Sequence, residues 1–263
     1  MTDTAPAPLL CLIDGAVAWL TLNRPGAGNS LSMDLVAALR DQLWHLADRP
    51  DIKVIVLTGA GGRIFSAGHD LNEFNGQEDL ALLDQDFAGL AALMQQITTQ
   101  PQIVIAKVEG VATAAGCELV AVCDLALASS RARFGMPGVN IGFWCHTPQV
   151  PLSRTVGRKA AMMMLATGRL FSASHALAIG LINEVHEPEA LDGAIDVLVA
   201  EITSKAGSVL RRGKTAFTRQ LGLPLAQAYA FACEQALENI VEPDAREGIA
   251  AFLEKRLPRW PEG

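Results

Sequence analysis

The period of the hydrophobic positions changes several times along this chain, and each change marks a different element. Leu9 to Ile13 and Ala16 to Leu22 are strand-like runs separated by Asp14-Gly15, a dipeptide suited to a type I′ hairpin turn because both central residues take positive φ. From about Ser32 the period lengthens. Leu35, Leu39, Leu43 and Leu46 fall on one side of a helix, with Asp34 in its first turn and Pro50 beyond its end. Lys53 to Thr58 is a β-branched run closed by Gly59, Ile103 to Val108 repeats that composition after Pro101, and Asp124 to Ala128 is a shorter third run. Helical patterns separate the three, and such alternation predicts right-handed crossovers, mainly parallel pairing and an α/β fold. After about residue 190 the pattern is helical almost throughout, punctuated by Pro224, Pro243 and Pro258, which predicts a helical subdomain or interaction arm.

Composition narrows this picture. Half of the 263 residues are apolar and 19% are charged, which excludes a disordered chain and fits one large core with extra apolar surface for an oligomer interface. A net charge of −7 removes the general attraction to nucleic acid and anionic lipid, so an anionic ligand must be held locally. The five cysteines are odd in number and form no CxxC pair, which reads as reduced thiols in a cytoplasmic protein. Met1-Thr2-Asp3-Thr4-Ala5-Pro6 has no basic segment before an apolar run and predicts no secretory signal. The apolar stretch from Ile103 to Ala128 is interrupted by Lys107, Glu109, Glu118 and Asp124, which marks a protein core and no membrane span.

Several chemistries fail on their motifs. Gly59-Ala60-Gly61-Gly62-Arg63-Ile64 has Ile where a dinucleotide fingerprint needs its last Gly. No P-loop, HExxH or GxSxG is present, and histidines 45, 69, 146, 175 and 186 are scattered, so neither a metal nor a separate cofactor is expected. Cys117 and Cys123 read as small buried hydrophobes. The segment Val111-Ala112-Thr113-Ala114-Ala115-Gly116-Cys117-Glu118 remains, where tiny residues lead into a carboxylate on an apolar stretch. A buried carboxylate there must be paired, hydrogen-bonded or protonated; the alternative is a partly exposed Glu favoured by a helix start.

Phe65-Ser66-Ala67-Gly68-His69-Asp70-Leu71 and Ala112-Thr113-Ala114-Ala115-Gly116-Cys117-Glu118, together with Asn23-Arg24-Pro25, Phe134-Gly135-Met136-Pro137 and Thr167-Gly168-Arg169-Leu170-Phe171-Ser172-Ala173, resemble the crotonase (enoyl-CoA hydratase/isomerase) superfamily in order and spacing. Ala-Thr-Ala-Ala-Gly-Cys at 112 to 117 and Pro-Gly-Val-Asn at 137 to 140 resemble its enoyl-CoA hydratase domain-containing protein 3 type. The resemblance implies an α/β spiral of repeated ββα units over residues 1–190, carrying an acyl-CoA site, and a C-terminal helical trimerisation region over 191–263. It implies acyl-CoA thioester substrates, with coenzyme A arriving as part of the substrate, and a homotrimer or dimer of trimers.

By motif position, the N–H groups of His69 and Ala115 would hold the thioester carbonyl as an oxyanion hole, and Glu118 would be the first of two catalytic glutamates. The family often has Gly where this chain has Ala115; a methyl group is added and the donor is kept. The second glutamate is replaced by Gly138, which cannot move a proton. His146, in the loop from Gly142 to Pro148, is an auxiliary acid or base by its ordinary titration range, the alternative being a loop histidine satisfied by backbone or water. Trp144 and Phe143 would shape the acyl pocket. The resemblance places coenzyme A against Arg24, Ala27, Ala67, Asp70 and Leu71, with Lys255 as a cation for its phosphates, in this chain or reaching a neighbouring subunit, or simply a basic helix end. Hydration or dehydration of an enoyl-CoA through Glu118 is the leading function; isomerisation or other enolate chemistry, and acyl-CoA binding without catalysis, are the alternatives.

Overall fold

The computed structural model describes residues 6–261, so the reading of Met1 to Ala5 lies outside the described residues. The chain opens with β1 (Leu9–Asp14) and β2 (Val17–Leu22), paired antiparallel. Because Asp14 still pairs with Val17, the tip is Gly15-Ala16, one residue later than expected, and of the two only Gly15 takes positive φ (54°). The type I′ expectation is therefore corrected: Ala at the second position resists the left-handed region that such a turn needs.

Helix α1 (Met33–Ala47) begins and ends as its pattern predicts, and Ser32 caps it by accepting from the Leu35 N–H at 3.3 Å. Leu35, Leu39, Leu43 and Leu46 are buried. Ser32→Ala should lower the unfolding free energy by about 1 kcal/mol, seen as a lower urea midpoint with an unchanged slope.

The chain then winds through β3 (Val54–Gly59), β4 (Ile64–Ser66) and α2 (Leu80–Thr99), then β5 (Ile103–Val108), β6 (Val111–Thr113) and α3 (Ala115–Val122), then β7 (Leu125–Ser129), β8 (Arg133–Gly135) and α4 (Gln149–Thr155). Each turn gives one strand to a large sheet and one to a small sheet before its helix, which is the expected ββα spiral. Next come α5 (Arg158–Thr167), β9 (Leu170–Ser172), α6 (Ala173–Ala178) and β10 (Glu184–His186). The large sheet runs β1-β2-β3-β5-β7-β10, parallel except for β1, and the small sheet runs β4-β6-β8-β9. Period-2 alternation divides the large sheet's side chains. Ile55 and Leu57 face the main core with α1 and α2, while Val54 and Val56 face the other side.

Four helices complete the chain: α7 (Leu191–Thr203), α8 (Gly207–Gln220), α9 (Leu225–Ile240) and α10 (Pro243–Leu253). Helix α7 covers the second face of the large sheet through Leu191, Ile195 and Val199. Helix α9 has no buried residue, and Phe252, Leu253 and Leu257 are 81, 73 and 87% exposed. Among the described residues no helix is long and apolar enough to cross a membrane.

Candidate active site

The small sheet assembles the site. Strands β4, β6 and β8 are adjacent and parallel, so the segments leaving their carboxyl ends, 67–71, 114–118 and 136–148, emerge side by side. Ligands of open parallel sheets collect at such ends. The small residues have a steric reason. A Cβ on Gly116 would lie 2.1 Å from the Ser66 carbonyl oxygen, and one on Gly68 (φ +93°) would lie 2.9 Å from Ala114 Cβ and 3.1 Å from Ala115 N. Two backbones are thus in direct contact, an approach that only glycine permits. Ala114, preceding α3, keeps a side chain at φ 48°, ψ −122°, a conformation that costs an L-residue about 1–3 kcal/mol and is typical of functional loops.

A cavity of about 250 Å³ opens between these segments, lined by Ala67, His69, Ala115, Gly138, Phe143 and Thr147 among others. Among the described residues neither the His69 nor the Ala115 N–H donates to a protein acceptor. Ala115 is the first residue of α3, where N–H groups have no intrahelical partner and the helix dipole favours negative charge.

Glu118 is 2% exposed on the same helix, so the buried reading of this carboxylate holds and the exposed one does not. Burial pushes its pKa up to about 7, against the opposing effect of the Thr147 hydroxyl, which donates to Oε2 at 3.2 Å. Thr147 borders both the first cavity and a second hollow of about 490 Å³ between α2, α3 and α4, which Glu118 also lines. Glu118 lines the second hollow and not the first, which it meets through Thr147. Cys117 is buried and its thiol is pushed up to about 12; burial also raises Cys123 and Cys145. These thiols are not thiolates near neutral pH.

The remaining sequence-predicted residues divide. Arg24 and Asp70 come together with each other: Arg24 Nη2 lies 2.8 Å from Asp70 Oδ2, while Nη1 donates to the Ser30 carbonyl and hydroxyl oxygens. Burial opposes ionisation of Asp70, but hydrogen bonds from Arg24, Asn72 and Ser30 outweigh it and hold the carboxyl below its usual value. Ala27 and Ala67 are exposed on neighbouring loops joined by the Ala67 N–H to the Gly28 oxygen, and Leu71 is exposed at the cavity. His146 lines the cavity from an exposed position.

One expectation needs correction, and a second finds no place within a single chain. Trp144 does not line the cavity: it packs on the core and its Nε1 donates to Gln149 Oε1 at 2.9 Å, so Phe143 alone of the pair forms the wall. Alternate residues of an extended loop point opposite ways, and the sequence did not say which aromatic faces in. Lys255 is not brought to the cavity within one chain. It lies past the end of α10, exposed and at φ 56°, and α10 packs on α8 and α9.

Sequence reasoning missed Asp86 and gave Thr147 no role. The buried residues of α2 are Asp86, Leu90, Leu93, Met94 and Ile97; a carboxylate on that core stripe was the readable signal. Its Oδ2 lies 3.5 Å from His69 Nε2. Among the described residues no group of three His, Cys, Asp or Glu side chains converges as a metal site would require.

Gly138 has its own constraint. A Cβ there would lie 2.3 Å from the Phe143 carbonyl oxygen and 3.0 Å from Cys145 Sγ, in a turn closed by the Phe143 N–H donating to the Gly138 oxygen at 3.0 Å. A carboxylate cannot be supplied here by one substitution without moving that turn. Gly138→Glu should cost about 1–3 kcal/mol of stability, as measured by urea unfolding.

Residues 13–263 match the family model described as Enoyl-CoA hydratase/isomerase. A zebrafish (Danio rerio) protein, enoyl-CoA hydratase domain-containing protein 3, mitochondrial, is 42% identical over 246 residues, covering 94% of this chain and 85% of its own. The short-chain-enoyl-CoA hydratase of Clostridium acetobutylicum is 33% identical over 248 residues, 92% of this chain and 93% of its own. Two crystal structures superpose with a TM-score of 0.93. An enoyl-CoA hydratase of Mycobacterium smegmatis is 43% identical and covers 96% of this chain and 98% of its own. Human enoyl-CoA hydratase domain-containing protein 3 is 38% identical and covers 96% and 100%.

Proposed function

The chain belongs to the enoyl-CoA hydratase/isomerase family, and from that premise we propose that it is an acyl-CoA enzyme that adds water to, or removes it from, an enoyl-CoA thioester. The observation that carries this reading is one helix start holding both parts of the chemistry. The Ala115 N–H, with that of His69, is free to stabilise an enolate oxygen, and Glu118 three residues later has a pKa of about 7. Donors fixed in advance at an oxyanion are worth about 3–4 kcal/mol each to the transition state. A carboxyl that is half protonated near neutrality is suited to deliver a proton to, or remove one from, the thioester Cα. The second hollow beside Glu118 gives the carboxyl a route for exchanging that proton with solvent.

Gly138 favours a second reading in which Glu118 acts alone, as in double-bond isomerisation. Binding without turnover is the third, and a retained buried Glu118 argues against it. The three separate with a panel of short and medium enoyl-CoAs in deuterated water. Hydration removes the conjugated-enoyl absorbance, isomerisation moves the double bond with Cα exchange, and a binder does neither.

Coenzyme A would lie along Ala67 and Leu71 at the cavity and Ala27 on the neighbouring loop, where the loops are held together by Arg24 and Asp70; Lys255 would serve only from a neighbouring subunit. The exposed apolar residues of α9 and the C-terminal end support a homotrimer or a dimer of trimers. Light scattering on the purified chain should give the mass of three or six copies, and a monomer removes this part. Five unpaired thiols support a cytoplasmic location, to be checked by cell fractionation because the zebrafish relative is named mitochondrial.

A further inference from the structure

The side chain of His69 is as unusual as its backbone. Its ring forms a triangle with those of Phe74 and Phe87, at centroid distances of 5.2 and 5.4 Å, and lines the cavity. Nε2 is closed off from solvent and faces Asp86 Oδ2 at 3.5 Å; among the described residues neither atom has a hydrogen-bonding partner. Asp86 is 4% exposed, and among the described residues no Lys or Arg pairs with it. Its charged neighbour besides His69 is Glu73, of like sign.

Burial, and then Glu73, push the Asp86 carboxyl up to about 6, and burial holds the imidazole down at about 4. Near neutral pH the ring is neutral, and its unpartnered Nε2 faces the unpartnered Asp86 Oδ2. That contact is satisfied when Nε2 carries the ring's single proton, which leaves Nδ1 unprotonated on a ring that lines the cavity.

We infer that His69 and Asp86 form a carboxylate–imidazole dyad in which Asp86 positions the ring and His69 Nδ1 takes the water proton, the task that Gly138 cannot perform. This rests on the hydratase reading of the cavity. As the water oxygen bonds to Cβ, one of its protons passes to Nδ1, and the π electrons of Cα–Cβ move toward the thioester oxygen. Those electrons return to form a Cα–H bond with the proton of Glu118. The imidazolium releases its proton to solvent and Glu118 regains one, so enoyl thioester plus water gives 3-hydroxyacyl thioester. Asp86 stays ionised and stabilises the transient imidazolium, as the buried Asp of a Ser-His-Asp triad does. His146 lines the same cavity but has no orienting carboxylate among the described residues.

Nitrogen NMR of His69 in the ligand-free, full-length protein should show the Nε2–H tautomer at neutral pH; an Nδ1–H tautomer overturns the dyad whether or not any variant folds. His69→Phe keeps the backbone N–H and the aromatic packing, and should lower kcat for hydration about 10²-fold with KM little changed. Asp86→Asn should lower kcat about tenfold or more, again without a matching rise in KM. If His69→Phe keeps kcat within about twofold while Glu118→Gln is inactive, the dyad is overturned and the hydratase reading stands. A native protein inert toward every enoyl-CoA overturns both.

Discussion

Glu118→Gln lowers turnover of an enoyl-CoA by about 10²- to 10⁴-fold while CoA thioester binding persists, because glutamine keeps the shape and can still accept from Thr147 but cannot transfer a proton. The same variant gains stability at alkaline pH. The Glu118 carboxyl titrates near 7 in the folded chain against an ordinary value of 4.5, so the folded state holds its proton more tightly than the unfolded state does. Stability from this group is therefore full below about pH 4.5 and is lost as pH rises to about 7, a change on the order of 3 kcal/mol. Urea unfolding of both proteins should show the glutamine variant ahead at about pH 8 and level with the native chain at about pH 4. A variant that is inactive yet no more stable at the higher pH would contradict the burial of an ionisable carboxyl at this position. Activity that survives the substitution would remove Glu118 from the chemistry.

Lys214→Met is expected to be the most damaging single change to stability, by about 3–5 kcal/mol. Lys214 Nζ, on α8, donates to the carbonyl oxygens of Ile97 at 3.2 Å and Gln102 at 2.9 Å and to Asp124 Oδ2 at 2.6 Å. Asp124 Oδ2 also accepts the Val104 N–H at 2.7 Å. Burial pushes Lys214 down and Asp124 up in spite of their pairing, so desolvation is not fully offset. Removing the ammonium alone takes a donor from two carbonyls and from a carboxylate at the junction of α8 with α2 and β5, where the Lys214 end is buried and the Asp124 side chain is partly open to solvent. Asp124→Leu added to Lys214→Met should recover part of the loss and not all, since the Val104 N–H loses its acceptor and the Gln102 carbonyl its Lys214 donor, while Ile97 still accepts the Gln100 N–H. Urea midpoints of the two single variants and the double variant measure the coupling.

What could be read from the chain was what lies within a few residues of itself. Helix α1 announces itself because its apolar positions repeat every 3.6 residues, β3 and β5 because each is a short β-branched run bounded by turn residues, and Ser32 and Pro50 mark the limits of the helix by local chemistry. The family loops were legible for a related reason: Gly68, Gly116 and Glu118 are tied to short motifs whose backbone does the work.

The small sheet was not legible, since β4, β6, β8 and β9 have three residues each, too few to show a period. That sheet is what places the three site segments together. Nor could sequence choose between an exposed and a buried Glu118, orient Trp144 and Phe143, or pair Arg24 with Asp70 and His69 with Asp86. Those outcomes depend on residues 17 to 46 positions apart, or on which side of a loop faces the core.

The sequence by itself determined the longer elements, the α/β class and the identity of the loops at the opening segment of α3, because local periodicity and turn chemistry are properties of neighbours. Tertiary structure alone decided the chemistry those loops can perform. It set the Glu118 pKa by burial, closed the Gly138 position with the Phe143 carbonyl oxygen, and put a carboxylate behind His69, because desolvation and close packing act between atoms that the chain brings together only when it folds.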